Sequence, residues 1–320
     1  MTLPRIAVVG AGQFGQNHCR VVHEAIRAQL AYVVDIDAAR AAAMAEQYGA
    51  KPLTDYRALA GKIDAAIVAT PTTAHEEVVC ALLDAGIDVL VEKPIAPDLD
   101  AASRMIAAAE RRHLILQVGH LERFNPGVIE LERRATLPLF FEIHRLNLFS
   151  PRSLDVDVVL DLMIHDVDIV LALTKTEPEE IRAAGVQILS KKVDIANVRL
   201  QFPNGCIANL TASRISTERV RKLRLFQPQQ YLSLDYTRQD LAIFSVGDNR
   251  QIGFEQAPVT KSEPLQLQFD AFLDSVISRN PPKCSGHTAR LTLGVALSIL
   301  DKIEEHSRVV SRSLEAGWKP

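Results

Sequence analysis

The 320-residue chain is sparing in the features that mark many protein classes. Its four cysteines, Cys19, Cys80, Cys206 and Cys284, lie far apart with no C-x-x-C spacing. That argues against a zinc cage or a disulfide framework and suits a reducing compartment, and no metal is expected. A charge excess is also missing: 36 basic against 39 acidic residues leave a formal charge of −3. The two signs are interspersed, so neither nucleic acid nor an anionic membrane is an expected partner. No apolar run reaches the ~18 residues of a membrane span, and Met1-Thr2-Leu3-Pro4-Arg5-Ile6 passes into a strand-like run without an apolar leader. A cytoplasmic protein with a small-molecule partner is the expectation. No internal repeat or low-complexity linker interrupts the chain. The length, with 48% apolar residues, points to two domains with sizeable cores.

The first third alternates short β-branched runs with helical patterns, the mark of βαβ units on a parallel sheet. Strands are predicted at Arg5–Val9, Tyr32–Asp35, Ala65–Ala69, Val89–Glu92 and Ile115–Val118. Helices are predicted at Ala38–Tyr48 and Ala74–Ala85, each closing on a glycine, and at Leu99–Arg112, with two arginines in its last turn. After about residue 121 one periodic helix, 155–174, precedes strand-like segments at 182–189, 195–202, 206–213, 222–226, 231–235 and 241–245. Pro203-Asn204-Gly205 reads as a hairpin turn. Helices at 265–278 and 288–306 close the chain. The expected architecture is an α/β domain over 1–121 and an α+β domain over 122–320, the second carrying a large, mostly antiparallel open sheet.

The first predicted strand runs into Gly10-Ala11-Gly12-Gln13-Phe14-Gly15, a G-x-G-x-x-G at the opening of a helix, and the second ends at Asp35, twenty residues beyond Gly15. In that context the glycines read as a dinucleotide site: Gly10 for the tight turn, Gly12 for backbone approach to a pyrophosphate, Gly15 for close packing. An acid at Asp35 accepts ribose hydroxyls and repels a 2′-phosphate, so NAD is expected rather than NADP. Arg40 reads as an exposed helix arginine. Ala69-Thr70-Pro71 follows another strand at the same carboxyl edge and is expected to line the cofactor, with His75 as a packing or cofactor-side residue. Val91-Glu92-Lys93-Pro94 fixes a lysine at a strand tip, where a partly desolvated ammonium can lose its proton near neutral pH.

In order and spacing, Gly10–Gly15, Asp35, Ala69-Thr70-Pro71 and Glu92-Lys93-Pro94 resemble the Gfo/Idh/MocA family of nicotinamide-dependent sugar and cyclitol oxidoreductases. The resemblance covers nearly the whole chain. It implies a Rossmann domain, a second domain with an open sheet, bound NAD, and a lysine matching Lys93 that hydrogen-bonds the hydroxyl being oxidised.

In the helix at 155–174, Val156, Val159, Leu160, Met163, Val167 and Val170 repeat at helical spacing and mark a buried face. Asp157, Asp161, His165 and Asp168 share another face, a solvated stripe or a cleft wall. The family resemblance favours the cleft, because D-x-x-x-H is its second-domain signature, with Asp161 and His165 as the matching acid and histidine. Val158, Val159 and Met163 stand where the family often has glycine.

His120, Arg123 and Asn125, in a segment that matches the family's arginine and F-N-P, are candidate substrate contacts; a structural ion pair at the domain junction is the alternative for Arg123. Arg145 and Arg152 are candidate anchors for a diphosphate. Arg214, Arg219, Arg221, Lys222 and Arg224 read as a solvated strand face. Residues 118–126 with 150–157 resemble the family's nucleotide-sugar branch. That implies NAD-dependent oxidation of UDP-N-acetylglucosamine at C3, ahead of a 3-amino sugar for lipid A, by a homodimer or homotetramer. Inositol or free-hexose oxidation is the enzymatic alternative, and a non-catalytic dinucleotide-binding regulator the rival from another class.

Overall fold

A computed structural model describes residues 3–149, 156–247 and 249–315. The contacts divide the chain into two compact units, Met1–Phe124 with Glu263–Arg290, and Asn125–Ser262 with Leu291–Pro320.

The first unit begins β1 (Arg5–Val9), α1 (Gln13–Glu24), β2 (Gln29–Val34), α2 (Ala38–Tyr48), β3 (Lys51–Leu53), β4 (Ala65–Val68), α3 (His75–Asp84), β5 (Asp88–Glu92), α4 (Leu99–Arg112) and β6 (Leu116–Gly119). The second holds α5 (Pro126–Arg134), β7 (Phe140–Leu148), a π-helical turn at Val159–Met163, α6 (Ile164–Thr174), β8 (Glu180–Val186), β9 (Ile195–Gln201), β10 (Ile207–Ser216), β11 (Val220–Gln227), β12 (Gln230–Asp235), β13 (Asp240–Val246) and β14 (Ile252–Gln256). Two helices follow, α7 (Pro264–Ser278) and α8 (Gly286–Glu315).

In the first unit the order is β3-β2-β1-β4-β5-β6, with every pair parallel. The strands are covered on both faces, which is why they read as unbroken apolar runs: all four residues of β4 and the last four of β1 are buried. Local chemistry sets the helix ends. Asp37 caps α2 by accepting from the backbone N–H groups of Ala39 and Arg40, and Asp98 caps α4 by accepting from Ala101. The strand order reverses between β1 and β4, so the carboxyl ends of those two strands open the crevice where such sheets take ligands.

Helix α7 corrects the single domain cut expected at 121/122. Its Leu265, Phe269, Phe272, Leu273 and Val276 join the buried cluster formed by Ile6, Val8, Val33, Ile67 and Leu90 of the first unit. At roughly 1.5–3 kcal/mol for each large apolar side chain buried, that contact decides where the helix belongs. Sequence adjacency does not.

The second unit carries an eight-stranded sheet in the order β14-β13-β12-β11-β7-β10-β9-β8. Among the described strands of this sheet only β7 and β10 pair in parallel. On its inner face Phe141, Ile143, Leu210, Leu223, Leu225, Leu232, Leu234 and Ile243 pack with Val128 and Leu131 of α5, Val167 and Val170 of α6, and Ile299 and Ile303 of α8. Among the described residues no helix is long and apolar enough to cross a membrane.

Candidate functional site

Each unit carries its own set of polar residues. In the first, the glycine loop joins β1 to α1. Gly10 has φ +97°, and a Cβ there would lie 2.6 Å from the Ala69 carbonyl oxygen; a Cβ on Gly15 would lie 1.7 Å from the Gly10 carbonyl oxygen. These two positions exclude any side chain for steric reasons. Gly12 differs: a Cβ there would meet nothing within 4 Å. Its backbone borders open space at the start of α1, where free N–H groups and the positive end of the helix dipole attract an anion. Phe14 is exposed and Gln13 lies beside it on the same first turn.

Asp35 follows β2 and is buried. It accepts from the Ala11 N–H through Oδ2 (2.8 Å) and from the Asp37 N–H through Oδ1 (2.9 Å). The acid therefore braces the glycine loop as well as standing beside it. Arg40 is not merely a solvated arginine, since its Nη1 lies 3.4 Å from both Asp35 oxygens.

Ala69, Thr70 and Pro71 follow β4, with the Ala69 N–H donating to the Val9 carbonyl (2.8 Å). Thr70 has a buried hydroxyl with no partner. His75 is buried, and its ring nitrogens meet only backbone carbonyls: Nε2 at 3.0 Å from Thr70 O, Nδ1 at 3.1 and 3.2 Å from Pro94 O and Ile95 O. Burial lowers its proton affinity against those carbonyls, which raise it. The structure corrects a direct cofactor role for His75, because its ring is spent tying the loop after β4 to the loop after β5.

Lys93 stands one residue beyond β5. Its backbone N–H donates to Glu92 Oε2 (3.2 Å), and Glu92 Oε1 lies 2.7 Å from Nε2 of His18 on α1. Burial raises the Glu92 carboxyl, but the His18 hydrogen bond and the His18 and Lys93 charges outweigh it and hold the group below its ordinary value. His18 sits three residues beyond Gly15 and carries no local cue in the sequence to a partner 74 positions away. Thiol chemistry is not on offer nearby: burial pushes Cys19 up to about 12.

After β6, His120 is buried and Arg123 lies on a short 3-10 turn whose carbonyl accepts from Lys283 Nζ (2.8 Å).

In the second unit the expected continuous helix is a π-helical turn leading into α6. Asp161 lies on that turn and His165 follows as the second residue of α6. Such turns widen the spacing of side chains and recur at functional sites. The expected four-residue polar stripe is split. Asp157 accepts from the Val193 N–H (2.9 Å), and buried Asp168 accepts from the Thr292 hydroxyl (3.2 Å), so both serve the fold. Asp161 and His165 remain half-exposed.

Three other expectations change here. Asn125 is no open substrate contact: it caps α5, accepting from Gly127 N–H (3.0 Å), and donates to the Tyr236 carbonyl (3.0 Å). Arg145, at 2% exposure, forms a two-pronged bond to Asp166 (2.8 and 2.7 Å) over the Tyr236 ring, which removes it as a diphosphate anchor. The basic cluster is not one solvated face. Lys222 is exposed and Arg224 pairs with Glu142, but Arg214 is buried and bonds the Val156 carbonyl, while Arg221 lies in register with Arg145. Arg152 lies outside the described residues.

The Gfo/Idh/MocA oxidoreductase profile, described as an NAD-binding Rossmann fold, matches residues 4–120, and the family's C-terminal domain profile matches residues 144–229. The chain belongs to the Gfo/Idh/MocA family. UDP-N-acetylglucosamine 3-dehydrogenase of Acidithiobacillus ferrooxidans is 35% identical over 306 residues, covering 94% of this chain and 97% of that protein. The solved structure of that enzyme superposes with a TM-score of 0.90, covering 95% of this chain and 99% of that one. An inositol 2-dehydrogenase of Arthrobacter is 33% identical over 195 residues, 58% of this chain and 57% of that protein. As a family member the chain is an NAD-dependent oxidoreductase. Its residues fit that cofactor: the open space at Gly12, the bare Thr70 hydroxyl and the acid at Asp35 all lie at the carboxyl edge of one parallel sheet.

Proposed function

We propose that this protein oxidises the C3 hydroxyl of UDP-N-acetylglucosamine to the 3-keto sugar. The observation that carries the reading is Lys93 at the tip of β5, on the same carboxyl edge as the open backbone of Gly12, in a chain 35% identical over 94% of its length to a UDP-N-acetylglucosamine 3-dehydrogenase. Bound NAD supplies the hydride acceptor. Gly12 and the first N–H groups of α1 receive its pyrophosphate, Asp35 its adenosine ribose, and Ala69, Thr70 and Pro71 line it. The Lys93 amine takes the hydroxyl proton as the C–H bond gives up its electron pair, ending as an ammonium. His165 assists that transfer and Asp161 holds a sugar hydroxyl. His120, Arg123 and Arg152 are the substrate contacts that stay in the proposal, Arg152 as the anchor for the diphosphate.

The outer face of the second sheet supports self-association. Phe140, Phe226, Tyr231, Phe244 and Phe254 lie on neighbouring strands, each ring 4.8–5.7 Å from the next. Phe254 is 63% exposed. We assign this row to a homodimer or homotetramer contact. The reaction is placed in the cytoplasm, in supply of a 3-amino sugar for lipid A, with no nucleic acid or membrane partner.

Purified protein with NAD and a panel of UDP-N-acetylglucosamine, free N-acetylglucosamine, myo-inositol and glucose tests the assignment, read as reduced-nicotinamide absorbance. Turnover confined to the nucleotide sugar, with UDP competing, is expected. Faster turnover of inositol or glucose moves the protein to the alternative substrates, and no turnover of any of them favours a regulator.

A further inference from the structure

The His18–Glu92 couple takes no part in the proposed proton transfer, yet its placement is unusual. His18 is 1% exposed and lies on α1, while Glu92 ends β5, two strands away from β1 in the sheet. The 2.7 Å bond between them ties the dinucleotide-binding helix to the strand that delivers Lys93. The Glu92 carboxylate is held on its other sides too. Its Oε2 accepts the Lys93 N–H, and it packs so closely over Gly119 that a Cβ there would lie 2.9–3.0 Å from its carboxyl atoms. His18 Nδ1 is buried with no partner, so Nε2 carries the ring's one bond and must donate it. A carboxylate with so many fixed partners beside an acid–base lysine acts on that lysine's charge.

We propose that His18 and Glu92 are positioning residues that set the proton affinity of Lys93. This rests on Lys93 being the proton acceptor of the proposed reaction. The Glu92 anion favours the lysine ammonium, and the His18 N–H, aimed at the far oxygen, draws part of that negative charge away from it. The titratable groups facing Glu92 are His18 from α1, Lys93 just beyond the end of β5 and His75 from α3, with His120 next in sequence to Gly119. The two residues therefore pull Lys93 in opposite directions. Removing the anion leaves the amine easier to deprotonate; removing the histidine exposes the amine to the full anion.

The test is a titration of the intact protein labelled with 13C at lysine Cε, with NAD bound and without it. The Lys93 resonance is identified by its absence from Lys93→Met. Glu92→Gln keeps the shape of the side chain and is expected to lower the Lys93 midpoint by about one pH unit. His18→Leu is expected to raise it, and His18→Gln, which keeps a donor, to stay nearer the parent. The acid limb of kcat against pH should move with each midpoint while the KM for UDP-N-acetylglucosamine changes less than twofold. Coincident midpoints in parent, Glu92→Gln and His18→Leu overturn the proposal, as do shifts of the same sign in both. A Lys93→Met variant of full activity refutes the catalytic role of the lysine instead, so the two failures are told apart.

Discussion

Two glycines three residues apart should behave in opposite ways when each is given one methyl group. At Gly15 the new carbon would lie 1.7 Å from the Gly10 carbonyl oxygen and 2.8 Å from its carbon, both rigid backbone. The loop and α1 must separate, and overpacking of this kind costs about 1–3 kcal/mol. For a protein of this size that lowers the melting temperature by roughly 2–4 °C per kcal/mol. Gly12 is the N-cap of α1, at φ −67° and ψ −171°, a conformation alanine adopts freely, with nothing within 4 Å of its Cβ. There, reduced unfolded-state entropy stabilises by about 0.4–1 kcal/mol, and alanine as a poorer N-cap than glycine costs about the same. Gly12→Ala should melt within about 2 °C of the parent without cofactor. On the proposed cofactor placement its methyl would enter the space that receives the pyrophosphate, so the Kd for NAD should rise at least tenfold, about 1.4 kcal/mol. Calorimetry measures both: scanning of the cofactor-free protein for stability, titration with NAD for affinity. Parent-like NAD affinity in Gly12→Ala, or parent-like melting in Gly15→Ala, would refute the division of labour.

Asp35→Ala should erode the preference for NAD over NADP by at least tenfold, because it removes the repelling carboxylate and releases Arg40, now 3.4 Å from it, to meet a 2′-phosphate; the two dissociation constants measure it. Asp194 is buried; burial raises its carboxyl, but the N–H groups of Ile188, Leu189 and Ser190 and the Ser190 hydroxyl overcome that and bring it down to about 2. A carboxyl depressed on folding stabilises above its unfolded pKa near 3.9 and loses that contribution as pH falls toward 2. Asp194→Asn should thus cost on the order of 2 kcal/mol at pH 7 and nothing near pH 2; chemical denaturation at both pH values checks the sign. Tyr231→Glu, in the middle of the aromatic row, should shift the protein to a smaller species in light scattering while leaving its melting temperature within a few degrees.

The first unit was readable because its determinants are local. A strand, three glycines and a distant acid fall in one order, and parallel strands covered on both faces leave apolar runs that stand out. What escaped were features whose partners are remote in sequence. Strand β7 was missed because Glu142, His144, Arg145 and Asn147 break its apolar pattern, and Arg145 is tolerated inside only because Asp166, 21 residues on, neutralises it. The periodicity of 155–174 placed Asp161 and His165 on one side, but a period of 3.6 throughout concealed the π-helical turn and put Asp168 with them when Thr292 holds it inside. Asn125 looked like a ligand in a matching motif, and its position before Pro126 makes it a helix cap. Strand β14 is five residues long and exposed throughout, so the brief alternation of Ile252 and Phe254 with Gly253 and Glu255 marks no buried face.

Hydride transfer from one defined carbon is the defining step of the proposed reaction, and an isotope reads it directly. UDP-N-acetylglucosamine carrying deuterium only at C3 is incubated with the protein and NAD, and the reduced cofactor is analysed by mass spectrometry and proton NMR. One deuterium is expected at nicotinamide C4 in the parent, with formation slowed on the order of 10²–10⁴-fold in Lys93→Met. Reduced cofactor without deuterium, or deuterium transfer at an undiminished rate in Lys93→Met, would contradict it.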